Sequence, residues 1–217
     1  MNILVLVSGN GTNLQALIDA ERGGRFRGKE DYPGGHIAAV VSDRPAHALR
    51  RAEAAGIPAY TEEPRRSLRP LERRRELSDR ILGIARRMDA KLIILAGFLS
   101  ILEGDIVEAY KGKIINIHPS LLPKFGGKGM YGEKVHRAVL EAGERESGCT
   151  VHIVDAGTDT GPVILQRKVP VLDGDSPEAL AGRIHAEEYA AITDAAVMML
   201  RRLYGGITAG SNDRGKQ

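Results

Sequence analysis

Residues 2–13 read NILVLVSGNGTN and combine a strand, a glycine-containing loop and the start of a helix. The strand NILVLV is apolar at nearly every residue, which is typical of a strand covered on both faces of a sheet. The loop SGNGTN separates it from the helical segment LQALIDAERGG, which ends in glycines. A strand, a tight loop and a helix in this order predict an α/β protein.

The same alternation of strands and helices continues through the first half of the chain. HIAAVVSD (36–43) and IPAY (57–60) are strand-like and flank a helical segment. A helix over about 71–88 leads into the apolar KLIILAGF (91–98), and a further helix precedes the strand KIINIH (113–118). This spacing favours βαβ crossovers and predicts a doubly wound, Rossmann-like, mostly parallel sheet.

The alternation changes after KIINIH. A glycine-rich loop precedes the helix EKVHRAVLEAG, and two strand-like runs, 149–155 and 161–171, follow with only a turn between them. A long helix over 176–204 comes last, and we expect the tail 205–217 to be flexible. The second half therefore predicts a mixed C-terminal continuation of the sheet, within a single domain over residues 1–204.

The composition is that of an ordinary globular protein. Apolar residues make up 42% and charged residues 27% of the 217 residues, and a net charge of +3 does not indicate a nucleic-acid partner. The arginines over 65–75 are followed at once by acids, which favours a solvated helix face over an RNA site. No apolar run reaches membrane-spanning length, and no signal peptide is recognisable before the first strand. The single cysteine, Cys149, predicts a reducing, cytoplasmic location.

The loop after the first strand suits an anion. Gly9 and Gly11 allow close backbone approach, and the N-terminus of the next helix presents free N–H groups. Thr12 and Asn13 add side-chain donors or cap the helix. Leu14 occupies the third glycine position of a dinucleotide fingerprint, so a phosphate monoester fits better than a pyrophosphate. The alternative is a tight turn with a helix cap and no ligand.

NIHPSLLP (116–123) ends a strand with two polar side chains on one face. Asn116 and His118 alternate with isoleucines, and Pro119 ends the ladder of backbone hydrogen bonds. Asn116 can donate hydrogen bonds to an oxygen, while His118 can transfer protons near neutral pH. Open α/β sheets bind ligands at this end of their strands, which favours a catalytic site. A hydrogen-bonded strand-end pair without chemistry is the alternative.

A third set of polar residues lies in CTVHIVDAGTDTG (149–161). A carboxylate beside an imidazole fixes its tautomer and raises its pKa, and either Asp155 or Asp159 could do this for His118. Spacing alone does not choose between them, and ordinary turn formation is the alternative for both. His152 could equally be a strand histidine satisfied by a neighbour. The other histidines show no metal-ligand spacing, so no metal is predicted.

Four stretches in this order resemble the folate-dependent formyltransferases: VSGNGTNLQALIDA, LAGFLSIL, INIHPSLLP and DTGPVILQRKVPV. The resemblance covers about residues 1–200, and the N-terminal loop combined with NIHPSLLP is its most specific part. It implies a nucleotide-phosphate half over about 1–110 and a folate and catalytic half over about 111–204. It also implies transfer of the formyl group of 10-formyltetrahydrofolate to the amine of glycinamide ribonucleotide, in purine biosynthesis.

The family's catalytic residues correspond to Asn116, His118 and Asp159. The resemblance implies that Asn116 and His118 stabilise a tetrahedral intermediate, with Asp159 supporting His118. We expect Asp159 to hold His118 protonated or nearly so. The resemblance implies 10-formyltetrahydrofolate as the co-substrate and no metal.

The same correspondence implies two binding sites. For the ribonucleotide, the implied residues are Gly11, Thr12, Asn13 and Glu188. For the folate, they are Asn116, Asp155, the hinge residues Leu99, Ser100, Ile101 and Leu102, and an arginine that is either Arg74 or Arg75.

The sequence departs from the family at a few positions. Ser100 stands where some relatives have arginine, so a side-chain contact with the folate is in doubt there. The loop 124–132 is longer than in the shortest members of the family. Tyr189 and Thr193 replace residues that are often His and Pro in the last helix.

Other functions make different demands on the sequence. A methionyl-tRNA formyltransferase carries an additional C-terminal domain, and a formyltetrahydrofolate hydrolase typically an N-terminal regulatory domain, for which we expect no room before Met1. A nucleotide-sugar formyltransferase lacks the N-terminal loop match. A dehydrogenase or a non-catalytic nucleotide-binding module could use the first glycines, with Asp43 as a ribose-binding acid. We expect small-molecule substrates, no nucleic-acid or membrane partner, and a monomer or homodimer.

Overall fold

Nine strands and six helices make up the part of the chain that the computed structural model describes, residues 1–29 and 32–212. The strands are β1 (Asn2–Val7), β2 (Arg27–Lys29), β3 (Tyr32–Gly34), β4 (His36–Ser42), β5 (Ala59–Thr61), β6 (Ala90–Leu95), β7 (Ile114–His118), β8 (Glu146–Ile153) and β9 (Val163–Pro170). The helices are α1 (Thr12–Arg22), α2 (His47–Ala54), α3 (Pro70–Arg87), α4 (Asp105–Ala109), α5 (Glu133–Glu141) and α6 (Pro177–Asn212).

Seven of the strands form one sheet in the order β5-β4-β1-β6-β7-β8-β9. Neighbouring strands among β5, β4, β1, β6 and β7 pair in parallel, whereas β8 runs antiparallel to both β7 and β9. This arrangement confirms the predicted fold class, a doubly wound parallel sheet with a mixed C-terminal continuation. It also places the C-terminal ends of β1, β4, β6 and β7 along one edge of the sheet.

The two faces of β1 explain why its sequence is apolar without interruption. Ile3, Val5 and Val7 belong to the core under α1 and α6, while Leu4 and Leu6 belong to a second core under α3. All five side chains have no exposed surface. A central strand covered on both sides therefore fixes the loop after Val7 rigidly at the sheet edge.

Three elements differ from the sequence-based expectation. The ribbon of β2 and β3 was not predicted, because its segment is rich in glycine and charged residues. Strand β6 ends at Leu95 instead of residue 98, so the residues that follow it form a loop at the sheet edge. Helix α6 continues past residue 204 to Asn212, and the rest of the predicted flexible tail, 213–217, lies outside the described residues. None of the described helices has the length and apolar character to cross a membrane.

Candidate active site

A cavity of about 700 Å³ opens at the C-terminal edge of the sheet. Its walls are the loop 9–13 after β1, the hinge 95–102 after β6, the end of β7, the loop 127–132, and the loop 154–159 after β8. His185 and Glu188 of α6 complete the lining. The cavity therefore lies where open α/β sheets place their ligands, and it is large enough for small-molecule substrates.

Strands β7 and β8 bring three polar side chains together. Asn116 and His118 project from the same face of β7, and the antiparallel register sets His152 of β8 opposite Asn116. Asp159, from the loop between β8 and β9, completes the group. Its carboxylate lies 3.5 Å from His118 Nδ1 and 3.5 Å from His152 Nε2. The residues named from the sequence motifs thus form one cluster with His152.

His152 determines how the Asn116 amide is oriented. His152 Nδ1 lies 2.9 Å from the carbonyl oxygen of Ile153, which can only accept a hydrogen bond, so this nitrogen carries the proton. In the neutral ring, Nε2 is then an acceptor, and Asn116 Nδ2 donates to it at 3.1 Å. From its place in the sequence, His152 could equally be a strand histidine satisfied by a neighbour. The register of β7 against β8, which the sequence does not give, makes it a neighbour of the site.

Burial favours the neutral form of His118, contrary to the expectation that Asp159 holds it protonated. The ring is 4% exposed, and this burial lowers the pKa of His118 below its ordinary value of 6.5. The Asp159 carboxylate raises the pKa, but by less than burial lowers it. His118 Nε2 donates to the carbonyl oxygen of Phe125 at 2.8 Å, so Nδ1 presents a lone pair beside Asp159.

Asp159 stays ionised although it is largely buried. Burial raises the pKa of Asp159, but the Gly127 N–H, together with the charge that the His152 and His118 rings carry when they are protonated, lowers it below its ordinary value. Gly127 N donates to Asp159 Oδ2 at 2.9 Å, and Asp159 itself adopts a left-handed backbone with φ 59. Aspartate tolerates this conformation better than most residues. The turn therefore aims the carboxylate at the two histidines.

Asp155 has a different position. Its Oδ1 accepts hydrogen bonds from the N–H of Gly157 at 3.0 Å and from the hydroxyl of Thr160 at 2.7 Å. These bonds close the loop 155–160 on itself, as aspartates in turns commonly do. Asp155 lines the cavity, as expected for the folate wall, and the carboxylate beside His118 belongs to Asp159.

The loop after β1 presents its backbone to the cavity. Gly11 is the N-cap of α1 with φ 73, and a Cβ there would lie 2.6 Å from the Cβ of Ala48. The first turn of α1 contains no acidic residue, so its N–H groups and helix dipole favour an anion. Gly11, Thr12 and Asn13 all line the cavity, as expected for a phosphate site.

Asn13 links this loop to the last helix. Its Nδ2 donates to Glu188 Oε2 at 3.2 Å, while Asn13 Oδ1 is buried with no hydrogen-bond partner among the described residues. Burial raises the pKa of Glu188, and His185 and the Asn13 amide lower it by less. Both side chains face the cavity, so a ligand with hydroxyl or amino groups would complete their hydrogen bonding.

The hinge residues line the cavity, whereas the two candidate arginines of α3 do not. Leu99, Ser100, Ile101 and Leu102 line the cavity, as expected for the folate site. Arg74 and Arg75 do not line it. Arg74 Nη1 instead forms an ion pair with Glu103 at 2.9 Å, just beyond the hinge. The expected contact of Arg74 or Arg75 with the folate stays a prediction, and Arg74 is held beside the hinge by Glu103.

Two further histidines in the lining were not identified from the sequence. His136 of α5 is 2% exposed and meets the ring of His185 edge-on, with 6.5 Å between ring centroids. The pKa of His136 is lowered to about 4, mainly by burial and in addition by His185 and His118. Neither residue belongs to a recognisable motif. Only the packing of α5 against α6 brings them into the cavity.

Comparisons with known proteins agree with this geometry. The sequence profile described as "Formyl transferase" matches residues 1–196. The chain is 42% identical over 192 residues to the phosphoribosylglycinamide formyltransferase of Escherichia coli (strain K12), covering 88% of this chain and 82% of that protein. The crystal structure of glycinamide ribonucleotide transformylase 1 from Symbiobacterium toebii superimposes with a TM-score of 0.79 at 39% identity, over 95% of this chain and 88% of that one.

Some relatives are much longer. The trifunctional purine biosynthetic protein adenosine-3 of Drosophila melanogaster is 42% identical over 205 residues, which are 91% of this chain and only 14% of that protein. The similarity is therefore confined to one part of the longer protein. Since the profile covers almost the whole sequence and the E. coli relative matches over most of its length, the chain belongs to the formyl transferase family.

Proposed function

We propose that this protein transfers the formyl group of 10-formyltetrahydrofolate to the amine of glycinamide ribonucleotide, a step of purine biosynthesis. One observation carries the proposal. A single cavity joins the anion-binding N-terminus of α1 to the cluster of Asn116, His118 and Asp159. The names of the E. coli and S. toebii relatives support the choice of acceptor.

The ribonucleotide is proposed to bind along α1 and α6. Its phosphate accepts hydrogen bonds from the N–H groups at Gly11, Thr12 and Asn13, where the helix dipole adds favourable charge. Glu188 and the unpartnered Asn13 Oδ1 accept hydrogen bonds from the ribose hydroxyls or the glycinamide. This orientation directs the free amine towards β7, where His118 lies.

The folate is proposed to occupy the other half of the cavity. The hinge 99–102 supplies apolar side chains and backbone groups for the pteridine ring, and the loop 155–159 forms the opposite wall. The formyl carbon then lies between Asn116 and the amine. Holding both reactants in one cavity contributes to the rate by fixing their orientation.

The first chemical step joins the two substrates. The amine nitrogen bonds to the formyl carbon, the carbonyl π electrons move to oxygen, and a tetrahedral intermediate forms. Asn116 donates its second amide hydrogen to that oxyanion, because its first is bonded to His152. A preorganised donor of this kind is worth roughly 10²–10³ in rate.

The second step needs a proton at the departing nitrogen. His118 Nδ1 takes the proton that the attacking amine must lose, and the ionised Asp159 beside it stabilises the resulting imidazolium. The imidazolium then gives the proton to N10 of the folate as the bond from carbon to N10 breaks. The products are the formylated ribonucleotide and tetrahydrofolate. Acid–base catalysis of this kind contributes roughly 10²–10⁴.

The decisive experiment measures tetrahydrofolate release from 10-formyltetrahydrofolate with and without glycinamide ribonucleotide. Release that requires the ribonucleotide supports both the transferase and its acceptor. Equal release without the ribonucleotide would identify a hydrolase and contradict the proposal. Formylated ribonucleotide, quantified by mass spectrometry, should equal the tetrahydrofolate released.

A dehydrogenase is less compatible with the same site. Its ribose-binding acid would be Asp43, but Arg44 and Ser100 already occupy both carboxylate oxygens of this residue. Titration with NADH tests this alternative directly, since a dehydrogenase must bind NADH and the proposed formyltransferase need not. The cytoplasmic location and the choice between monomer and homodimer stay predictions.

A further inference from the structure

Asp43 carries a buried charge that the proposed reaction does not use. The residue follows β4 directly and is 2% exposed. Arg44 donates to both of its oxygens through Nε and Nη2, each at 2.9 Å. Ser100 Oγ donates to Asp43 Oδ2 at 2.6 Å. A buried carboxylate is tolerated only when it is paired and hydrogen-bonded, so these contacts are needed to keep it charged.

Ser8, just after β1, extends the same group to the hinge backbone. Ser8 Oγ accepts the N–H of Leu99 at 2.8 Å, and Ser8 lies close enough to Asp43 to lower its pKa. Burial raises the pKa of Asp43, but the hydrogen bonds from Arg44, Ser100 and Ser8 outweigh it and leave the pKa below its ordinary value. Asp43 therefore anchors the hinge twice, through the Ser100 side chain and, by way of Ser8, through the Leu99 backbone.

The hinge depends on such anchors because it lies outside the sheet. Strand β6 ends at Leu95, and Gly97 turns the chain with φ 76. Leu99 is 47% exposed, so burial alone does not fix its position. The hydroxyl of Ser100 points to Asp43, whereas the expected role of Ser100 was contact with the folate. The anchors come from the ends of β1 and β4, which are rigid parts of the core.

We propose that Ser8, Asp43 and Ser100 form a brace, here called the hinge brace, that holds residues 99–102 in the position required for 10-formyltetrahydrofolate. Ser100 is then a positioning residue that acts through Asp43. The inference rests on the proposed function. It predicts that weakening the hinge brace at Ser100 impairs binding of the folate donor and spares binding of the ribonucleotide, since the Ser100 hydroxyl bonds to Asp43 and not to the loop 9–13.

The first test is Ser100→Ala. We expect the KM for 10-formyltetrahydrofolate to rise about tenfold, the loss typical of one hydrogen bond to a charged group, with kcat and the KM for glycinamide ribonucleotide unchanged. Ser100→Thr keeps the hydroxyl and should restore the donor KM. The matched control is Ser176→Ala, which removes a serine oxygen that accepts the N–H of Ala179 at 3.2 Å, at the start of α6. This control should leave both KM values at those of the wild type.

A second variant, Asp43→Asn, distinguishes two explanations for an effect of Ser100: action through Asp43 in the hinge brace, or direct contact with the folate. If Ser100 acts through Asp43, the protein that carries both Ser100→Ala and Asp43→Asn should have a KM for 10-formyltetrahydrofolate little higher than that of either single variant. Full additivity, or a donor KM that Ser100→Ala leaves unchanged, would overturn the brace. Isothermal titration with 10-formyltetrahydrofolate tests the same variants without turnover. A wild-type protein that binds the donor but shows no turnover dependent on ribonucleotide contradicts the proposed function and not the brace.

Discussion

Asn116 Nδ2 lies 3.1 Å from His152 Nε2, across two antiparallel strands. Because His152 Nδ1 is bonded to the carbonyl of Ile153, the ring presents an acceptor that fixes which end of the amide faces β8. The remaining N–H of Asn116 is then available to the cavity. The orientation of the proposed oxyanion donor is thus determined by a residue that need not touch the substrate.

Replacing His152 should therefore impair catalysis through Asn116. His152→Leu removes the acceptor, and we expect kcat to fall about tenfold, the value of one neutral hydrogen bond. His152→Gln keeps an acceptor and should recover part of the loss. The measurement is kcat with both substrates saturating. Equal kcat for the wild type and His152→Leu would exclude this role.

Removing the proposed proton carrier should separate chemistry from binding. His118→Ala should lower kcat by roughly 10²–10⁴, the usual contribution of acid–base catalysis. The α1 loop that is proposed to bind the phosphate is a separate part of the cavity, so the Kd for glycinamide ribonucleotide should change little. Single-turnover kinetics and titration calorimetry measure the two quantities. Full activity in the variant would contradict the mechanism.

The pH dependence follows from the lowered pKa of His118. The reaction requires neutral Nδ1, so kcat/KM should be constant near pH 7 and fall as the pH drops below 6.5 and His118 becomes protonated. The Asp159 carboxylate raises this pKa. Asp159→Asn should therefore move the acidic fall to lower pH while also reducing kcat. A shift to higher pH in this variant would show that another group titrates.

The glycines of the first loop provide a matched pair. Gly11→Ala places a Cβ 2.6 Å from the Cβ of Ala48 at a residue with φ 73, whereas a Cβ at Gly9 meets nothing within 4 Å. The left-handed backbone alone costs about 1–2 kcal/mol. We expect Gly11→Ala to lower the Tm and weaken ribonucleotide binding. Gly9→Ala should retain the Tm of the wild type, and equal losses in both variants would argue against the steric explanation.

The buried His136 should make the fold sensitive to acid. Its pKa in the folded protein is about 4 against 6.5 for an unperturbed histidine, so the unfolded chain binds more protons between these values. This contribution to the free energy of unfolding, on the order of 3 kcal/mol, is therefore complete above pH 6.5 and is lost as the pH falls towards 4. His136→Gln should reduce the slope of stability against pH in this window. Urea unfolding at several pH values measures it, and an unchanged slope would contradict the assignment.

Local patterns predicted most of the fold because apolar residues recur with a clear period along the strands and helices. The apolar run of β1 and the alternation in NIHPSLLP predicted strands correctly, and their polar ends predicted the edge where the cavity lies. The sequence did not predict the β2–β3 ribbon, since its two short strands contain glycine, proline and charged residues instead of an apolar run. His136 and His185 also escaped prediction, because their contact depends on how α5 packs against α6. Burial, which no single motif reports, lowers the pKa of His118 and opposes the protonation that was expected from Asp159.

The hydrogen bond between Asn13 and Glu188 joins residues 175 positions apart. Since α6 follows all the other described elements along the chain, the ribonucleotide side of the cavity cannot be complete before the residues up to Glu188 have been synthesised. A truncated product that ends before α6 would retain the first loop and strands β1 to β9, yet have no wall for the substrate. The proposed ribonucleotide site thus depends on residues from the first and the last of the described helices, and a chain interrupted between them is not expected to bind the ribonucleotide.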